Sequence, residues 1–398
     1  MIRVPRVVSS LRPRSNPRRA LDLQQAQRFV GDVFGEDLHA ARVASLANGV
    51  AGVLNSASTA IHAIGRAYAA LARITPKSAT KQVDRMLSNH ALALDVLQRR
   101  WATFVVSTRE QIVVALDWTD FDEDDHTTLC AYVVTRHGRA TPLAWKTVKK
   151  SELAGERTST EFALIEQIHE WLPPAVGVTL LADRAFGNQE LYGLLEAYGW
   201  DYVIRFRGCI RVEASNGEAR TAEEWLEPSG RAKLLRDVRV THDRAAIPAV
   251  VVTKGARMKD AWFLATSLNG TTASEVVKLY GKRFTIEETF RDTKDLHFGM
   301  GLSATHIKNA ARRDRLLLLV AVAHTLLTLL GAASEESGLD RKLKVNTVKH
   351  RTQSLFRQGA YWYGCIATMR EDWLRPLITA FDRIVREHAV GREMLGWI

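Results

Sequence analysis

From about residue 20 to residue 100 the apolar positions recur at helical spacing, and no stretch alternates as a strand would. Thr75-Pro76 reads as an N-cap followed by a proline in the first helical position. Over the KSATKQVDRML that follows, Val83, Met86 and Leu87 turn towards a core, while Lys77, Lys81 and Arg85 share a face at i, i+4, i+8. Near residue 110 the character changes. QIVVALDW, TLCAYVVT and TPLAWKTV are short runs rich in β-branched residues, spaced like a three-stranded meander. A helix is expected over 160–171, stopped by Pro173-Pro174, then a strand in GVTLLADR, a helix over 189–198 and a strand in DYVIRFRG. A β-flavoured stretch with SNGE and EPSG punctuation ends in AIPAVVVT and AWFLATSL. A helix over about 274–296 follows, then helical segments over 304–335 and 370–390.

Three antiparallel strands followed by alternating helix and strand is the order of an α/β, ribonuclease H-like catalytic domain. The expected organisation is a basic arm at 1–20, a helical domain at 21–105 and the α/β domain at 106–335. A β-rich insertion at about 207–268 interrupts that domain, and a helical C-terminal region covers 336–398.

Charge narrows the partners. Lys and Arg number 55 against 44 Asp and Glu, a net +11 that favours a polyanion. The acid-free MIRVPRVVSSLRPRSNPRR has the look of a transit peptide, but prolines interrupt any amphipathic helix, and a disordered arm on DNA backbone suits it better. Cys130, Cys209 and Cys365 are far apart and form no Cys/His zinc pattern, as in a reducing cytosol. The apolar run at 316–330 is short for a bilayer and contains His324, so a buried core helix is expected and no membrane partner.

Candidate chemistry lies in three places. Asp117 and Asp183 each end an apolar strand, which can bring two carboxylates to one sheet edge. YGKRFTIEETFRDTK sets Tyr280, Arg283, Glu287 and Lys294 within about 60° of one another on a helix, a stripe suited to a metal and a phosphate together. Glu288 falls about 100° away, so Glu287 is the expected third carboxylate. Three such groups can hold two divalent ions, and hard oxygen ligands suit Mg²⁺, with Mn²⁺ as a substitute. The acidic run 122–126 is expected to be a solvated hairpin turn, and His297 and His324 core or capping residues.

ALDWT around Asp117, LLADRAFG around Asp183 and the Y-(2)-R-(3)-E-(6)-K spacing resemble the insertion-sequence-four family of DDE transposases, in the family's order. LSNHALALDVLQRRW and KNAARRDRLLLLVAVAHTLLTLLG also resemble it, so the likeness covers roughly 70–335. Phe284 stands where the family usually has Trp. The resemblance implies that Asp117, Asp183 and Glu287 bind two Mg²⁺ ions for hydrolysis and strand transfer. It implies that Tyr280, Arg283 and Lys294 grip phosphates at a DNA hairpin, and that Trp262 stacks on a flipped base. It also implies DNA contact by Lys77, Lys81 and Arg85, double-stranded DNA with terminal inverted repeats as partner, a homodimer on DNA, and a bacterial cytoplasmic location. The competing expectations are a ribonuclease H-like structure-specific endonuclease and a DNA-binding derivative that has lost catalysis. For the basic residues Lys342, Lys344, Lys349, Arg351 and Arg357 and the YWY at 361–363, DNA contact, dimer packing and plain surface all stay open.

Overall fold

In the computed structural model, residues 23–107, 109–135, 138–256, 258–297 and 299–389 are described. The basic arm expected at 1–20 lies outside them. Five helices lead the described chain: α1 (Leu23–Phe34), α2 (Ala40–Ser56), α3 (Ile61–Ala72), α4 (Pro76–Leu87) and α5 (Leu94–Val106). Thr75 caps α4 by accepting from Ser78 N, and Pro76 opens it. Ala79, Val83, Met86 and Leu87 are buried, and Lys77, Lys81 and Arg85 are exposed.

The meander follows as β1 (Gln111–Phe121), β2 (His126–Val134) and β3 (Ala140–Lys149). Then come α6 (Arg157–Trp171), β4 (Gly177–Ala182), α7 (Gln189–Ala197) and β5 (Asp201–Arg205). The insertion supplies β6 (Arg211–Glu213), β7 (Ala219–Thr221), β8 (Lys233–Val240), β9 (Ala245–Thr253) and β10 (Trp262–Thr266). It builds no separate sheet. β10 pairs antiparallel with β5, Leu264 opposite Arg205, so one ten-stranded sheet runs β3-β2-β1-β4-β5-β10-β9-β8-β6-β7. Only β1, β4 and β5 are mutually parallel. The fold is mixed α/β with helical terminal regions.

The helix expected over 274–296 is tightened in its middle: α8 (Ala273–Gly281) passes through a 3-10 turn (Lys282–Phe284) into α9 (Thr285–Lys294). The change follows Gly281, whose helix propensity is low. Three residues at 3-10 pitch advance the phase by roughly 60°, which splits the single stripe read from the sequence. A capping box between Thr272 and Glu275 fixes the start of α8. The C-terminal region comprises α10 (Ala310–Glu336), α11 (Leu355–Cys365) and α12 (Glu371–Ala389). α11 was not anticipated. α10 is long and apolar enough to cross a membrane by length and composition, but it is buried inside the protein.

A large apolar core runs from Val30 in α1 through Leu116 in β1 and Leu319 in α10 to Ile384 in α12, and a smaller cluster forms around Leu181, Val203, Leu264 and Val276. Arg312 ties α10 to Asp84 in α4, and Arg315 donates to the carbonyls of Leu87 and Leu92. The helical region at 21–105 therefore shares its core with the sheet. Glycines set the α10–α11 crossing: a Cβ on Gly359 would run into Leu327 O, and one on Gly331 into Leu355 O. Trp362 of the YWY is buried here, Tyr361 is exposed, and Tyr363 accepts from Asn55 of α2. Lys344 pairs with Asp340 and Arg351 with Glu335, so part of the basic stretch is spent within the protein.

Strand β3 ends the sheet, and its outer backbone groups are satisfied by helix side chains. Thr289 Oγ1 accepts from Ala140 N at 2.8 Å, and Trp101 Nε1 donates to Pro142 O at 2.7 Å. Gln98 meets both N and O of Trp145, and Asp314 accepts from Thr147 N at 3.1 Å. An open edge is thereby closed by α5, α9 and α10. Burial of Asp314 pushes its carboxyl up to about 7, against the pull of the Thr147 hydrogen bonds.

Two stability predictions follow from this packing. Gly359→Ala is expected to cost about 2–3 kcal/mol, because helix backbones must part. Gly364→Ala, with open space around it, is expected to gain roughly 0.5–1 kcal/mol. Thermal melts of both variants check the opposite signs. Asp314 is held protonated in the fold to about pH 7 but ionises near 3.8 when unfolded, so its cost is absent in acid, builds up between those values and is full above them. Asp314→Asn keeps an acceptor for Thr147 N and is expected to stabilise by up to about 4 kcal/mol at pH 8.5 and far less at pH 4.5. Urea midpoints at the two pH values measure it; an equal effect at both would contradict the burial argument.

Candidate active site

The acidic centre starts from strand register. β1 and β4 pair in parallel with Leu116 opposite Ala182, the last pair of that ladder. The next residue on each strand is an aspartate, Asp117 and Asp183, so both carboxylates leave the sheet side by side. Asp117 does not end its strand, as the sequence suggested, because β1 runs on to Phe121 paired with β2 and sets Asp117 opposite Cys130. Its Oδ1 accepts from Trp118 N at 2.9 Å. Burial, with the charge of Asp183 adding to it, pushes the Asp117 carboxyl up to about 6 despite the nearby Arg283 guanidinium. Asp183 lies just past β4 in a turn, where its Oδ1 accepts from Ala185 N at 2.8 Å.

Glu287 reaches this edge from the first turn of α9. Arg283 connects the two elements: Nη1 donates to Asp117 Oδ2 at 2.9 Å and Nη2 to Glu287 Oε1 at 2.7 Å. Arg283 is 6% exposed, and its Nε has no hydrogen-bond partner. The sequence stripe pointed Arg283 at a phosphate; in the structure it points at the carboxylates. Glu288 faces elsewhere, towards Arg139 and Arg291.

Three anchors hold α9 over the sheet. Thr289 bonds to Ala140, Asp292 pairs with Arg139 at 2.5 Å, and Lys294 Nζ donates to Thr119 Oγ1 at 3.0 Å and Asp120 O at 2.6 Å. Burial lowers the Lys294 ammonium from its usual range. Tyr280 is buried in an aliphatic cluster with Leu181, Val203 and Leu264, and its ring centroid lies 5.9 Å from the Arg283 guanidinium carbon. Trp262 begins β10 half-buried, edge-on to Tyr280 at 4.9 Å and 5.9 Å from the Phe284 ring. Lys77, Lys81 and Arg85 lie on α4 and are not part of this cluster.

Sequence reasoning missed a fourth acid. Glu161 of α6 is buried, accepts from Trp118 Nε1 at 2.7 Å and Arg157 Nε at 3.1 Å, and burial raises its carboxyl. The signal was present: Glu161 occupies the same helical face as Leu164, Ile165 and Ile168, where a charge is out of place. The acidic run at 122–126 is also less solvated than expected. The Asp124 side chain is nearly inaccessible and accepts from Arg313 and from Ile307 N, while Asp122 pairs with Lys150. A buried arginine needed a counterion, and the hairpin turn supplies it. His324 is a core residue stacked on Phe356 at 4.6 Å, whereas His297 is exposed.

Among the described residues, no three acidic, histidine or cysteine side chains stand close enough to hold one metal ion. The donor set nevertheless fits a hard divalent cation: Asp117 and Glu287 already converge on a single cationic group, and Asp183 is near enough for its charge to act on Asp117.

None of the curated proteins compared with the chain matches it. Residues 147–326, from β3 through most of α10, match the family described as Transposase DDE domain. The matched stretch holds Asp183 and Glu287 and covers a little under half of the chain; Asp117 lies before it. Such a domain implies DNA binding and a nuclease or transposase activity, of a kind that generally uses divalent metal ions. Taken with the acidic centre, the match supports a DDE transposase family for this chain.

Proposed function

We propose that this protein is a transposase of a bacterial insertion sequence, cutting and joining DNA at the ends of its element through a hairpin, in the cytoplasm. The observation that carries the reading is the parallel register that sets Asp117 beside Asp183, with Glu287 converging on Asp117 from α9. The strand order β3-β2-β1-β4-β5, with an antiparallel meander feeding parallel β4 and β5, supports a ribonuclease H-like centre.

Asp117, Asp183 and Glu287 would hold two Mg²⁺ ions, for which Mn²⁺ substitutes. The chemistry that two such ions supply is activation of water, and then of a DNA 3′-hydroxyl, for in-line attack on phosphodiesters. Ionised Asp117 and Glu287 are the forms that serve as ligands, and the hydrogen bond from Trp118 N helps keep Asp117 oriented. The anchors at Thr289, Asp292 and Lys294 fix where Glu287 stands relative to β1. Arg283 and Lys294 would neutralise a strand folded back at the site once released from the carboxylates and β1 groups they hold, with Tyr280 packed beside Arg283. Trp262 and the exposed ring of Phe284 form an aromatic face for an extruded base. Lys77, Lys81 and Arg85 present charge to DNA backbone from α4. The partner is double-stranded DNA with terminal inverted repeats, bound by a homodimer.

Asp117→Ala, Asp183→Ala and Glu287→Ala are each expected to reduce strand cleavage to background while leaving end binding within a few-fold, and Glu288→Ala is expected to cleave. The assay is a DNA fragment carrying the element's own ends, incubated with Mg²⁺ and resolved on a denaturing gel beside a gel-shift measurement. Loss with Glu288→Ala and retention with Glu287→Ala would refute the assignment. Trp262→Ala should impair hairpin formation more than first-strand nicking; equal loss in both steps would make Trp262 a packing residue.

A further inference from the structure

We propose that Arg283 is an exchangeable internal cation, one that holds Asp117 and Glu287 at their mutual spacing and leaves them when a divalent ion binds, so that metal loading and phosphate binding are coupled through one side chain. The inference rests on reading Asp117 and Glu287 as metal-binding carboxylates.

The argument is one of shared oxygens. Arg283 Nη1 and Nη2 occupy Asp117 Oδ2 and Glu287 Oε1 at 2.9 and 2.7 Å. A hard divalent ion drawing on the same oxygens takes them at about 2.0–2.4 Å. A guanidinium stays charged in proteins, so it cannot yield by losing a proton. Two cations on one pair of oxygens would repel at short range in a buried setting, and one of them must leave.

Arg283 is built to be the one that leaves. Its Nε has no hydrogen-bond partner, so its bonds to the carboxylates run through the two terminal nitrogens alone, with the Tyr280 ring centroid 5.9 Å away. Its guanidinium carbon already lies 4.9 Å from the centroid of Phe284, and that ring is 39% exposed. A guanidinium stacks well on an aromatic face, so a short swing over Phe284 carries it from the carboxylates towards solvent. There it meets any phosphate held at the sheet edge. By linkage, a phosphate that captures the displaced Arg283 must raise metal affinity by the same factor by which the metal raises DNA affinity. The carboxylates stay charge-balanced in either arrangement, which limits the cost of leaving them buried and unpaired.

The test measures Mn²⁺ binding to the full chain by counting free Mn²⁺ with electron paramagnetic resonance, with and without a duplex carrying the element's end. Asp117→Asn and Glu287→Gln are expected to lose the site, which tests the carboxylate reading on its own. Arg283→Gln is expected to bind Mn²⁺ about tenfold more tightly than wild type without DNA, and to show none of the roughly tenfold gain that DNA gives wild type. Arg283→Lys, which keeps the charge but loses the fork, should fall between and decides the matter if Arg283→Gln does not fold. Unchanged or weaker Mn²⁺ binding in the Arg283 variants, with the site still lost in Asp117→Asn and Glu287→Gln, overturns the exchange and leaves Arg283 a fixed clamp. Mn²⁺ binding indifferent to Asp117→Asn and Glu287→Gln overturns the carboxylate reading itself.

Discussion

The parallel ladder between β1 and β4 sets Leu116 beside Ala182 and delivers an aspartate from each strand to the same point of the sheet edge. Side chains alternate along a strand, so a slip of one residue in either partner would send one carboxylate to the opposite face. The apolar residues before each aspartate, VVAL in β1 and LLA in β4, lock that register by burial: Val114, Leu116, Leu180 and Leu181 are nearly inaccessible. The pair of carboxylates therefore inherits its geometry from the hydrophobic core, and core packing is the part of a protein least free to adjust.

The third acid reaches the edge by a different route. Glu287 belongs to a short helix that makes little local claim to stability, since isolated helices of this length are marginal. Tertiary contacts place it. Thr289 closes the outer edge of β3, Asp292 pairs with Arg139 beside it, and Lys294 is tied to the far end of β1. The same edge of β3 is sealed by Gln98 and Trp101 from α5 and Asp314 from α10. Protecting an exposed strand and positioning Glu287 both draw on the outer edge of β3, and the helical regions at either end of the chain take part in the first.

Several buried charges are paired with an opposite charge, while Arg315 rests on backbone carbonyls and Asp314 on the Thr147 N–H. Arg313 has Asp124, Asp292 has Arg139, Glu161 has Arg157 and the Trp118 indole, and Arg283 has Asp117 and Glu287. Breaking such a pair from one side is costly, whereas exchanging one cation for another is not. That difference separates the acidic centre, whose Arg283 bridges two carboxylates at the sheet edge, from the Arg313–Asp124 pair, which closes a hairpin turn against α10.

Local rules were enough for much of this. The helical spacing before residue 106, the Thr75-Pro76 start of α4, the β-branched runs and the two aspartates at the end of apolar stretches each reflect a preference that a few neighbouring residues express. Helix geometry alone also separates Glu287 from Glu288, and the two face different partners. What periodicity could not reveal was pairing at a distance. The insertion joins the main sheet because β10 finds β5, across more than fifty residues of chain. α11 exists because Gly331 and Gly359 let two backbones meet, while its own pattern was masked by basic and aromatic residues. Asp124 looked like part of a solvated turn until Arg313, nearly two hundred residues away, required a counterion. The stripe drawn on an isolated helix gave Arg283 the neighbouring Glu287 and left its other nitrogen free for a phosphate, and only the approach of β1 gave its guanidinium a second carboxylate, Asp117. Secondary structure is written in short-range preferences; where a charged side chain points depends on which opposite charge the fold brings near it.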